Sequence, residues 1–245
     1  MTDNLLEQAR KHLHSLAGKF PEPAFYSDHH EEIDNAHAID ASSSMVASAR
    51  DMMKEVGDPL GHGFHHARKV ALDAATIIYA EKGINESASY LSHLALMAGY
   101  LHDIRRDRKD HPAQAAQYVE HHYHDQLEKN EIEMICFAIR NHEAFVEPVQ
   151  ARNKNQELLS DALYDADKFR WGPDNFLYTI WDMAASMNLT SGQIIDGYQH
   201  GIRGIKRVRE TFRTATGKQY GPEFIDIGLM MGEELISFLT GSTSR

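Results

Sequence analysis

The chain has 245 residues, of which 42% are hydrophobic and 25% charged, and its formal net charge at pH 7 is −11. Length and composition suit a soluble globular protein with one large core, and the scattered glycines and prolines exclude collagen-like or low-complexity structure. The acidic balance excludes a dedicated binder of nucleic-acid polymers or anionic membranes, because those partners require a basic surface; a local anion pocket stays open.

One cysteine, Cys136, sits in the apolar run Met134-Ile135-Cys136-Phe137-Ala138-Ile139 and reads as a packed core thiol. The opening residues Met1 to Glu7 lack a basic segment followed by an apolar one, so no signal peptide is expected. No apolar stretch approaches the ~18 residues that span a bilayer, and a cytoplasmic protein is the expectation. The unusual feature is the content of 16 histidines, unevenly distributed.

Taken in chain order, the apolar spacing is helical nearly throughout. A first amphipathic helix is expected over about 3–19, stopped by Gly18, Pro21 and Pro23. After an acidic loop, with His29, His30, Glu31 and Glu32 at a helix start, a second helix is expected from about Ile33 to Val56. The segment Gly57-Asp58-Pro59-Leu60-Gly61-His62-Gly63 is a strong breaker. From Phe64 to about Glu81, Val70, Ala71, Ala74, Ile77 and Ile78 share one face, and Gly83 ends the helix. Another helix follows from about Glu86 to Asp103. Further helices are expected near 112–126, 130–141, 156–166, 174–187, 191–213 and 222–240, with Pro112 and Pro173 in first turns and a cap at Thr190-Ser191. No hairpin signal interrupts the series. The fold class is all-α: N-terminal helices over 1–56, a core over 57–190 and C-terminal helices over 191–245, all in one compact domain.

Four segments concentrate nitrogen and oxygen donors near helix ends: Gly61-His62-Gly63-Phe64-His65-His66, Leu101-His102-Asp103-Ile104-Arg105-Arg106, Arg140-Asn141-His142-Glu143 and Tyr164-Asp165-Ala166-Asp167-Lys168. Imidazoles mixed with carboxylates suit first-row divalent ions such as Mn, Fe, Co, Ni or Zn. His102 and Asp103 lie about 100° apart on a helix, so they share an ion only over the edge of the helix or at its end. Asp165 and Asp167 lie about 200° apart, so only one of them faces the ion. His65 and His66 are subject to the same choice. His62 shares the face of His66 if the helix already begins there.

These segments resemble the HD superfamily of metal-dependent phosphohydrolases, whose pattern is His, then His-Asp, then a distant Asp. The likeness covers roughly residues 60–170. His66, in His66-Ala67-Arg68-Lys69-Val70, matches the first position; His102-Asp103 matches the signature pair; Asp167 matches the last Asp. The resemblance implies an HD-domain fold in which His66, His102, Asp103 and Asp167 hold one divalent ion. Some relatives hold two, and His111 and His142 occur in the order of that pattern, with Asp103 as the bridge. With a single ion, His62, His111 and His142 would serve the substrate.

The implied activity is hydrolysis of a phosphate ester, mono- or diester, of a nucleotide-like small molecule. The ion acidifies water and the developing charge is met by cations. Arg105, Arg106 and Lys168 are the phosphate-binding candidates among the basic residues Arg105, Arg106, Arg108, Lys109, Lys168 and Arg170, and Asp107 is a candidate proton donor. The alternatives are a di-iron oxygenase of the same scaffold, requiring both extra histidines, and a non-catalytic metal or nucleotide sensor.

Elsewhere, simpler readings are expected. His121-His122-Tyr123-His124 belongs on an exposed helical surface. The aromatic group Phe169, Trp171, Phe176, Tyr178 and Trp181 reads as core packing rather than nucleobase stacking. The cations of 201–209 read as a solvated helix face. The C-terminal helices are expected to pack on the metal domain, shaping its pocket or the interface of a homodimer.

Overall fold

Alanine, leucine and isoleucine recur at helical spacing through the middle of the chain, and each such run is a helix in the computed structural model, which describes residues 4–57 and 61–241. Asp58, Pro59 and Leu60, the centre of the expected breaker, lie outside the described residues. The described residues form α1 (Asn4–Leu16), α2 (Ala24–Asp28), α3 (His30–Ser42), α4 (Ser44–Glu55), α5 (Phe64–Lys82), α6 (Glu86–Leu101), α7 (His111–Tyr123), α8 (Lys129–Arg140), α9 (Lys154–Phe169), α10 (Ile180–Ser186), α11 (Ser191–Val208) and α12 (Ala215–Thr240). No strand occurs among them, and no helix among them is long and apolar enough to cross a membrane.

Three expectations are corrected. The single helix expected over 33–56 is two, because Ser43 turns to ψ 122° and its Oγ accepts the Val46 N–H at 3.2 Å, capping α4 instead of continuing α3. The helix expected over 174–187 starts with a π-helical turn, Asn175–Thr179, before α10. The last helix begins at Ala215 rather than near 222, with Pro222 inside it. Thr214 caps it, its Oγ1 accepting the Gly217 N–H at 2.8 Å.

The helices α5 and α6 form the centre. Residues Val70–Tyr79 of α5 and Leu94–Leu101 of α6 are buried on every face, which accounts for the near-continuous apolar sequence of α6. Helices α3, α4, α8 and α9 pack around this pair, and α12 closes the bundle against α9, α11 and α1. Their buried side chains join one core that runs from Ala9 to Leu239 and includes the thiol of Cys136.

Two backbone approaches position the functional end of the bundle. A Cβ at Gly99 of α6 would lie 2.3 Å from the Cα of Ala71 in α5, so only glycine allows the two central helices to touch at this level. A Cβ at Gly228 of α12 would lie 2.7 Å from the Cα of Gly172, which seats α12 directly on the turn after α9.

Gly99→Ala must therefore push α5 and α6 apart. Overpacking of this kind costs about 1–3 kcal/mol, a fall of roughly 2–12 °C in the melting temperature of a chain this long. Calorimetry would read it directly, and an unchanged melting temperature would contradict the contact.

Candidate metal centre

Five helix ends converge at one place. His66 stands in the first turn of α5, His102 caps the C-terminus of α6 with Asp103 after it, His111 opens α7, His142 follows α8, and Asp167 stands in the last turn of α9. Three of these helices, α6, α8 and α9, present the negative ends of their dipoles, a setting that favours a cation.

Two of the histidines are oriented by the same local device. The Nδ1–H of His102 donates to the Gly99 carbonyl at 2.8 Å, and that of His142 donates to the Ile139 carbonyl at 2.6 Å. Each uses a last-turn carbonyl that the helix leaves without a partner. A carbonyl oxygen can only accept, so Nδ1 must carry the hydrogen and Nε2 is left with its lone pair directed at the cluster.

The acceptors crowd together. His66 Nε2 is 3.4 Å from His102 Nε2 and 3.2 Å from Asp167 Oδ1. His102 Nε2 is 3.4 Å from Asp103 Oδ2 and 3.8 Å from Asp167 Oδ1. The other oxygen of Asp103, Oδ1, faces His111 Nε2 at 3.3 Å and His142 Nε2 at 3.6 Å. His102 and Asp103 are at most 1% exposed. Such a set stays together only with positive charge at its centre, either protons on the imidazoles or a cation.

The electrostatics carry the same message. Burial opposes the charge of Asp103, but His102, His111 and His142 outweigh it and hold its carboxyl well below the usual range. For Asp167, burial is outweighed by Lys168, then His66 and His102, with the same outcome. Burial also opposes a charge on His102, yet Asp103, Asp167 and the Gly99 carbonyl lift its pKa above the ordinary value. Burial, with the charge of His66, pushes His62 down to about 4, and burial also lowers His142. Both carboxylates are thus charged near neutral pH, and these last two imidazoles are neutral.

Three overlapping groups could hold a metal ion: His66, His102 and Asp167; His102, Asp103 and His142; and His62, His66 and Asp103. Each has its ligand atoms within 4.8 Å of one another. The buried nitrogen and oxygen donors, short of protein hydrogens, fit a divalent ion; which metal is not fixed by them. A single Nε2 lone pair serves one ion, so two of the groups compete for His102. The His111 nitrogen is already engaged, since Arg106 Nη1 donates to His111 Nε2 at 2.7 Å and lies 3.5 Å from Asp103 Oδ1.

The structure also decides between neighbouring residues. Asp165 turns away from the cluster and accepts from the Arg213 N–H, the Thr214 N–H and the Thr214 hydroxyl, each at 2.8 Å, anchoring the start of α12. His65 points outward, its ring 5.0 Å from that of Tyr178. His62 precedes α5, which begins only at Phe64, yet its ring still lies 4.9 Å from that of His66.

The basic residues divide. Lys168 is buried, paired with Asp167 and 5.0 Å from the centre of the Tyr164 ring. Arg105 stacks over Tyr118 at 4.5 Å instead of facing the cluster, because the turn after α6 carries it around to α7. Asp107 and Arg108 are exposed and paired with each other at 3.1 Å, which leaves Asp107 away from the site. Arg170 is buried between Asp73 and Asp174, also donates to the Tyr26 hydroxyl at 3.1 Å, and its Nε has no hydrogen-bond partner. Far from the cluster, His121, His122 and His124 are exposed on α7 and the turn after it.

A cavity of about 540 Å³ opens on the cluster. Its polar end includes His66, Asp103, His142, Asp167, Lys168 and Arg170; Arg106 also lines it, whereas Arg105 does not. The opposite end is built by residues with no motif: Trp171, Phe176, Ile180 and Met183, faced by Ile194 and Ile202 of α11. Phe169 and Trp181 are core residues, as the aromatic spacing suggests, but Trp171 lines the cavity.

Comparisons with protein-family models, with curated proteins and with solved structures give no match.

The two aspartates should separate by experiment. Asp165→Ala strips three donors of their acceptor and should cost on the order of 2–4 kcal/mol of stability while metal titration stays as in the parent. Asp167→Asn should abolish tight metal uptake and leave the chelated protein folded with an unchanged helical spectrum. Metal binding that survives Asp167→Asn but not Asp165→Ala would reverse the assignment.

Proposed function

We propose that the chain is a metal-dependent phosphohydrolase of the HD kind, with His66, His102, Asp103 and Asp167 holding one divalent ion. The observation that carries this reading is the convergence of His66 and His102 Nε2 on Asp103 Oδ2 and Asp167 Oδ1, all buried and within 3.8 Å of a neighbour. The donor set suits Mn, Fe, Co, Ni or Zn. When bound, such an ion supplies Lewis acidity, polarising a phosphoryl oxygen and making water acidic enough to furnish hydroxide near neutral pH.

The chain's own residues do the rest. Lys168 holds Asp167 and lines the polar end of the cavity, where its charge meets a phosphate oxygen. Arg170 lines the same wall and brings an N–H with no partner. Arg106 positions Asp103 and His111 and stands in the cavity wall beside them. His142, neutral by burial, keeps its lone pair on the Asp103 side and can orient water there.

A second ion would have to use Asp103, His142 and His111, and Arg106 occupies the nitrogen of His111. The same contact disfavours a di-iron oxygenase, which needs both extra histidines. Arg106→Ala removes that donor, so its metal content should rise from one equivalent towards two; a content fixed at one would show that His111 is not a latent ligand.

The reading itself is tested by elemental analysis of protein purified without chelator, paired with phosphate release from p-nitrophenyl phosphate and its bis ester. About one equivalent of metal and turnover that Asp103→Ala abolishes together with the metal are expected. Metal-free protein that stays inactive after addition of each ion would overturn it.

A further inference from the structure

The cavity is two-ended, and its apolar end is walled by residues that also belong to the core. One full stripe of α11 (Ile194, Gly197, Tyr198, Gly201, Ile202 and Ile205) lines it. At 1.5 Å rise per residue these positions span about 16 Å along the helix axis. Across from them, Phe176, Thr179, Ile180 and Met183 recur at helical spacing on the π-turn and α10, giving the opposite wall. An apolar helical stripe normally packs on protein; here Ile194, Ile202 and Ile205 are buried in the core and the same face also borders the cavity.

Two glycines of the stripe, Gly197 and Gly201, line the cavity from exposed positions. A Cβ placed on Gly197 or Gly201 meets no atom within 4 Å, unlike Gly99, Gly172 or Gly228, where it meets backbone. Glycine in a helix interior costs roughly 0.5–1 kcal/mol relative to alanine. Both positions are exposed, and no packing demand at either offsets that cost.

Polar groups at this end are few. Gln193 already accepts from the Thr190 N–H at 2.8 Å in the cap of α11, leaving Thr179, Asn175, Tyr198 and the indole N–H of Trp171 as the other polar side-chain groups at this end. A nucleobase presents several donors and acceptors, and burying them without partners is costly. An aliphatic chain presents none.

We infer that the ligand of this cavity is a phosphate ester of an aliphatic chain, of alkyl or isoprenoid type, with its phosphate at the His/Asp cluster and its chain along α11. The inference rests on the hydrolase reading for the phosphate end and deepens it by replacing a nucleotide with an amphiphile. At roughly 30 Å³ per water-sized group, the 540 Å³ cavity has room for a phosphate and a chain on the order of ten carbons.

The test uses the full-length protein with its metal, a series of n-alkyl monophosphates from ethyl to dodecyl, and n-decylphosphonate as a non-hydrolysable ligand. Phosphate release should gain about threefold to fourfold in kcat/KM per added methylene, as expected when each CH₂ leaves water, up to about ten carbons. Decylphosphonate should shift the fluorescence of Trp171, read in a Trp181→Phe background, and ethylphosphonate should not. Gly201→Leu and, separately, Gly197→Leu should lower the decyl-to-ethyl ratio of kcat/KM at least tenfold and weaken decylphosphonate by a similar factor.

Turnover of short esters with no dependence on chain length would overturn the inference and leave the hydrolase standing. A decylphosphonate-induced shift of Trp171 without turnover of any ester would retain the chain-binding channel and remove the hydrolase. Neither response would overturn both.

Discussion

The site depends on a small constraint: two histidines at helix C-termini each donate Nδ1–H to the carbonyl three residues back. That bond satisfies a carbonyl the helix leaves open, and it also fixes which nitrogen is bare. The bare Nε2 atoms of His102 and His142 then face Asp103 from two sides. Everything polar in the centre follows from this orientation, because lone pairs and carboxylates directed at one point call for a cation.

The bundle supplies the rigidity that such an arrangement needs. The Gly99–Ala71 contact brings α5 and α6 together one turn below the cluster, and Gly99 also provides the carbonyl that orients His102. The segment after α9 does a comparable service. Arg170 is clamped by Asp73 and Asp174, Asp165 anchors α12, and α12 rests on Gly172. Asp167, which faces the cluster, therefore sits between the anchored Asp165 and the clamped Arg170, and its position is set from both sides.

Much of this was legible in the residues themselves. Helical periodicity gave the all-α class, and the order His66, His102-Asp103, Asp167 singled out residues that the fold brings together. Helix geometry required that only one of Asp165 and Asp167 face the cluster, since residues two apart cannot share a face, and the resemblance pointed to Asp167. What was not legible depended on tertiary direction. Arg105 and Arg106 are adjacent and chemically alike, yet one stacks on Tyr118 and the other reaches His111. The break at Ser43 was hidden because serine is tolerated inside helices as well as at their caps. The apolar channel has no motif; its one sequence signal is the i, i+4 pair Gly197 and Gly201 amid isoleucines, a pattern that packing alone does not require.

The most direct check is a thermal melt of chelated protein before and after addition of each first-row divalent ion. An ion that binds only the folded state at about a hundred times its Kd stabilises by roughly 2.7 kcal/mol, which in a chain this long is a rise of about 5–11 °C. That rise should appear for at least one of Mn, Fe, Co, Ni or Zn, and should vanish in His102→Ala. A melting temperature that no ion moves would mean that the cluster is held by protons, and the metal centre would be wrong.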